Sequence, residues 1–182
     1  MSEPKSPVYQ PAVIDMLTVS AEYCIFLEKL PTAGTTRREL LDRMTKVLPL
    51  IYVKAALLPD FDESGLDCLQ EVVTEEDYEE VRQAIWRLLK EKDEYLEVFS
   101  PDMQYSEGAM TRTISEDLAD IYQDLKNFVA VFADRNEGAM QDAVAKVKEN
   151  FRLYWGQRLV NAMRPLHELT YNDNEEPEPE DE

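Results

Sequence analysis

Three aspartates in the run TISEDLADIYQDL, Asp117, Asp120 and Asp124, are spaced i, i+3 and i+7. On a helix turning about 100° per residue they share one flank of the apolar face that centres near Leu125. Such a set of hard oxygen donors can hold a divalent cation, with substrate phosphates completing the shell. Arg158 projects to the edge of the apolar face of a later helix, where an unpaired guanidinium is costly to desolvate. It needs a carboxylate. An antiparallel turn near Asn136 brings Arg158 level with Asp117 or Asp120, both about twenty residues from that turn. Three chemistries fit: a partly buried ion pair that fixes helix register, a metal site on the three aspartates, or anion capture by Arg158 with Arg164.

Other reactive side chains carry less. His167, the one histidine, projects away from its helix's apolar face and reads as a surface residue. Glu75, Glu76, Glu79 and Glu80 are similar to the EExxE half of all-α nucleotide pyrophosphatases, with Asp117 and Asp120 as a loose second half. Acids at the positive end of a helix explain them more simply. Phe151, Tyr154 and Trp155 have the spacing of a packed face. No glycine-rich phosphate loop, nucleophile elbow, histidine metal motif or Ser/His/Asp set occurs.

The elements that must position these residues are helices. Val13 to Leu30 is apolar except for Asp15, Glu22 and Lys29, which recur every seven residues as one narrow stripe, so this helix is expected to be central. Thr36 and Glu39 form a capping box ahead of a second helix that keeps register across Pro49, as one kinked helix or two. Residues 59–73 connect, with one short turn around Leu66 to Leu69. Thr74 and Asp77 open a third helix with Trp86 off its buried stripe. Residues 100–113 read as the longest loop. A fourth helix runs from Thr113 or Ser115 to about Asp134. A fifth, of about thirty residues, follows Gly138, with Pro165 bending its last turns. No stretch alternates with period two. The expectation is an all-α, single-domain bundle of five or six helices over residues 12–170, after a flexible segment 1–11 and before a disordered acidic tail 171–182.

Composition narrows the partners. Lysine and arginine number 19 against 38 acids, a net charge of -19, and the last eleven residues, NDNEEPEPEDE, hold seven of those acids. Such a surface repels nucleic-acid backbones and anionic membranes. Cys24 and Cys68, both among apolar neighbours, build no disulfide framework, which fits a reducing cytoplasm. Neither an export signal nor a membrane span is legible.

Three ordered segments, DEYLEVFSP at 93–101, TISEDLADIYQDL at 113–125 and YWGQRLVNAMRPLHEL at 154–169, together resemble the bacterial domain-of-unknown-function family 5063. The resemblance implies a helical fold and no particular activity, cofactor or ligand. The function expected from the residues is a non-catalytic protein-interaction or regulatory module with a basic partner. The alternative is a divalent-metal-dependent hydrolase or a small-anion (phosphate or nucleotide) binding protein using Asp117, Asp120, Asp124 and Arg158. Mimicry of nucleic acid by the acidic surface is a third option.

Overall fold

The structure, a computed structural model, describes residues 6–61, 69–97 and 110–172. Six α-helices appear among them: α1 (Pro11–Lys29), α2 (Arg37–Ala56), α3 (Glu75–Leu89), α4 (Ile114–Val131), α5 (Glu137–Asn150) and α6 (Gly156–Tyr171). The short turn expected around Leu66 to Leu69 and the tail beyond Asn172 lie outside the described residues, Leu69 excepted.

Local chemistry sets the helix starts. Thr36 and Glu39 exchange hydrogen bonds at the head of α2, as do Thr74 and Asp77 at the head of α3, so orphan amides are satisfied reciprocally. Pro49 is carried inside α2, which stays one helix. Its apolar stripe keeps the same register on both sides of the proline, with Met44, Leu48, Ile51 and Ala55 all buried.

The helix at the centre is α4, against which α1, α3, α5 and α6 all pack, while α2 bridges α1 and α6. This corrects the expectation that the first helix is central. Ile14 and Ile25 reach solvent beside the charged stripe, so α1 lies on the outside of the bundle with one broad face open. Leu118, Ile121, Leu125 and Phe128 of α4 meet Tyr23 and Leu27 of α1 and Ile85 of α3 in one continuous core. Each such side chain contributes roughly 1.5–3 kcal/mol of burial. The Tyr23 hydroxyl, buried among them, donates to the Leu118 carbonyl at 2.9 Å.

Two features correct the sequence reading. Pro7–Tyr9 forms a short 3-10 turn that seats Val8 wholly in the interior, so the segment before α1 is part of the fold from Ser6 onward. In addition, β1 (Glu94–Leu96) pairs antiparallel with β2 (Thr111–Thr113), so the end of the expected loop is a strand. Residues 98–109 between them lie outside the described residues.

The expected fifth helix is a single rod made of α5, a π-turn at Phe151–Trp155, and α6. In this wider turn the Gly156 amide reaches back to the Phe151 carbonyl. A Cβ at position 156 would lie 2.3 Å from that oxygen and 2.8 Å from the Phe151 ring, so glycine is required by space. The turn also separates its aromatics. Trp155 goes to the core, where its indole N–H donates to the Val147 carbonyl at 3.1 Å, whereas Tyr154 swings out to the edge facing α4.

Candidate functional site

The flank of α4 opposite α6 and the hairpin holds the polar constellation. Asp117 is completely buried. One carboxylate oxygen accepts from Arg112 Nη2 at 2.9 Å and the other from the Tyr95 hydroxyl, while Arg158 Nη1 stands 3.9 Å away. Tyr95 and Arg112 face each other across the β-ladder, so the two short strands bring a phenol and a guanidinium to one carboxylate. One turn on, Asp120 accepts from the Tyr78 hydroxyl of α3 at 2.9 Å and from the Tyr154 hydroxyl at 2.7 Å, with Arg158 Nε at 3.5 Å. The Arg158 guanidinium lies over the Tyr154 ring, 5.1 Å from its centroid.

Asp124 stands apart. Its partner is the Asn150 amide, which donates at 2.6 Å, and it borders a different space between α4 and α5. The three-carboxylate arrangement required for a divalent cation is therefore not formed. Asp117 and Asp120 take protein donors from different elements, Asp124 faces elsewhere, and among the described residues no three His, Cys, Asp or Glu side chains converge as metal ligands. Arg164 faces solvent and His167 is exposed with its ring against Tyr171, so neither reaches this cluster. Anion capture by Arg158 with Arg164 has no shared site.

Electrostatics follow from burial. Desolvation holds Asp117 above the usual carboxylate range, although the Tyr95 and Arg112 hydrogen bonds and the nearby Arg158 charge pull it down. Desolvation likewise outweighs the Asn150 hydrogen bond at Asp124. Burial and the neighbouring Asp120 push the Tyr154 phenol up to about 12 and Tyr78 higher still, so both stay protonated as donors. Two guanidinium groups face two carboxylates, and the Arg112 Nε is left buried without a partner. Such a contact costs desolvation that its Coulomb energy barely offsets, which suits a device that sets register rather than one that adds stability.

A second polar contact completes the frame. Asp93, just before β1, is buried and accepts from the Ser115 amide at 2.7 Å and the Ser115 hydroxyl at 2.6 Å. It thereby caps the start of α4, next to Thr113, which accepts from the Glu116 amide at 3.3 Å. Asn161 of α6 donates to Glu97 at 3.0 Å, fastening the hairpin from its other side. Asp93, Tyr95 and Arg112 were not singled out from the sequence. Asp93 and Tyr95 fall within the DEYLEVFSP segment, which is where a signal for them lay.

The comparisons with known proteins agree with this architecture. The family model described as Domain of unknown function (DUF5063) matches residues 7–172. The crystal structure of protein BF1032 from Bacteroides fragilis, a target of the Northeast Structural Genomics Consortium, is similar at 39% sequence identity and a TM-score of 0.80, covering 93% of this chain and 99% of that one. No curated protein matches. With every described element inside the matched span, from the 3-10 turn at Pro7 to the end of α6, the chain belongs to the domain-of-unknown-function family DUF5063.

Proposed function

We propose that this chain is a non-catalytic binding module of the cytoplasm whose outer α3 face takes a basic protein partner. The observation that carries this reading is Trp86, half-exposed at 51% on a helix whose outer side also presents Glu76, Glu80 and Gln83 to solvent. A solvent-facing tryptophan about two to three turns beyond the exposed Glu80 and Glu76, with Arg87 beside it, can anchor an interface, because the ring supplies desolvated area while the carboxylates steer a positive surface toward the helix. The basic residues near other acids are largely engaged: Lys54 with Asp15, Lys126 with Glu28 and Lys148 with Asp60. The net charge of -19 thus leaves acids in excess at the surface. The constellation on α4 supports the same reading from inside, since its carboxylates serve to lock α3, α4, α6 and the hairpin together.

The test is co-purification from native cytosol with the wild-type chain and with the Glu76→Lys/Glu80→Lys/Trp86→Ala variant, followed by size-exclusion of each enriched basic protein with both. Basic proteins that co-elute with the wild type and not with the variant, at unchanged melting temperature, are expected. Equal capture by both chains, or none by either, removes the proposal.

A further inference from the structure

Between α4, α5 and the segment 69–71 that precedes α3 lies a cavity of about 300 Å³, whose lining shares only Tyr154 with the cluster on α4. Its floor is apolar, built from Phe128, Val131 and Val147, and Asp124 stands in its wall with Asn150 and Lys146 beside it. We propose that this cavity binds a small aliphatic ammonium compound, a short alkylamine or diamine, with Asp124 as the counter-charge. This goes beyond the protein-binding role of α3 and does not depend on it.

The argument starts from Asp124. Its carboxylate is partly buried and its partner is a neutral amide, whereas Asp117 and Asp120 each have a guanidinium close by. The cation nearest the wall, Lys146, is turned to Glu71 at 3.4 Å at the rim. Among the described residues the lining therefore holds two carboxylates, Asp124 and Glu71, against one ammonium. A desolvated carboxylate without a contacting cation is expensive, and a ligand that brings one recovers that cost.

The same geometry favours an organic cation over a metal ion. A divalent metal needs several converging oxygen ligands. The Asn127 side-chain oxygen, the next candidate on the α4 wall, already accepts from the Val72 and Val73 amides at 2.8 and 3.1 Å. An ammonium needs one carboxylate and a few amide oxygens for its three donors, and an alkyl body to cover Phe128 and Val147.

Titration calorimetry with n-butylammonium and 1,4-diaminobutane, against n-butanol and butyrate, tests the proposal on the full chain. Saturable heat is expected for at least one amine and for neither control. Asp124→Asn keeps the shape and hydrogen-bonding capacity and is expected to weaken the amine about ten- to a hundredfold, the usual worth of a charged hydrogen bond. Asp124→Glu, which retains the charge, restores part of it. If Asp124→Asn fails to fold, Val131→Trp, which fills the cavity from its edge, is expected to abolish binding by exclusion. Butanol binding as well as butylammonium, amine binding unaffected by these changes, or no heat with any amine overturns the assignment.

Discussion

Removing the Asp117 side chain isolates the energetics of the buried cluster. In Asp117→Ala the Arg112 guanidinium, with its side chain only 17% exposed, loses its charge-matched hydrogen bond to Asp117, and the Tyr95 hydroxyl loses its acceptor. Deleting one member of a buried pair and stranding the other costs about 3–5 kcal/mol. For a domain of this length each kcal/mol moves the melting temperature by roughly 2–4 °C, so a fall of about 6–20 °C is expected. Thermal unfolding followed by circular dichroism at neutral pH measures it, and urea unfolding gives the matching free energy. The companion variant Asp117→Leu/Arg112→Met removes both charges and fills their volume with apolar atoms. It is expected to recover most of the loss, since a buried pair can be replaced by packed hydrocarbon at little net cost. A single variant within about 1 kcal/mol of wild type, or a double variant no better than the single, would refute the reasoning.

Four further outcomes follow from the structure. Gly156→Ala places a Cβ against the Phe151 carbonyl and is expected to cost about 1–3 kcal/mol, visible as an early melt; a neutral change contradicts the π-turn geometry. Thr74→Ala removes the α3 cap and should cost about 1 kcal/mol in the same assay, an unchanged midpoint arguing against the capping box. Cys24 is buried, with its thiol pushed up to about 12 by desolvation, so in a Cys68→Ser chain a thiol reagent at pH 8 should label it only on unfolding; rapid native labelling contradicts this. Asp93, Asp117 and Asp124 sit above the usual 3.8 because of burial, so the native state binds their protons more tightly than the unfolded chain. Their contribution is complete below about pH 3.8 and is lost as pH rises through the folded values. Glu39, Asp77 and Glu79, held low by hydrogen bonds from Thr36, Thr74 and Arg82, act oppositely and lose theirs as pH falls below the usual carboxylate range. The melting temperature should therefore rise as acidification protonates Asp93, Asp117 and Asp124 and fall again once Glu39, Asp77 and Glu79 are protonated; a steady decline on acidification from neutral pH would count against it.

How much of this was legible in the residues depends on the range of the interaction. The flank position of Asp117 and Asp120, and the level at which Arg158 meets them, follow from helical periodicity and one short antiparallel connection, which are local rules. The caps at Thr36 and Thr74 are local too. Tyr95 and Arg112 are joined to Asp117 by strands of three residues, too short to show alternation, brought together across an intervening segment. The π-turn leaves only Gly156 as a trace, and projecting one uniform helix through it merged Tyr154 with Trp155, which face different neighbours. Asp124 shares a flank with the other two aspartates, yet α5 rather than α6 lies opposite it, a distinction that periodicity on α4 alone does not contain.

The most direct test of the lock between α4 and α6 is a double-mutant cycle on Asp120→Asn and Arg158→Met, read by urea unfolding. Two side chains 3.5 Å apart in one network should be non-additive, with a favourable coupling of about 0.5–3 kcal/mol. Additivity to within about 0.3–0.5 kcal/mol would mean that the guanidinium and the carboxylate do not sense each other, and the account of the cluster as a clamp between these helices would be wrong.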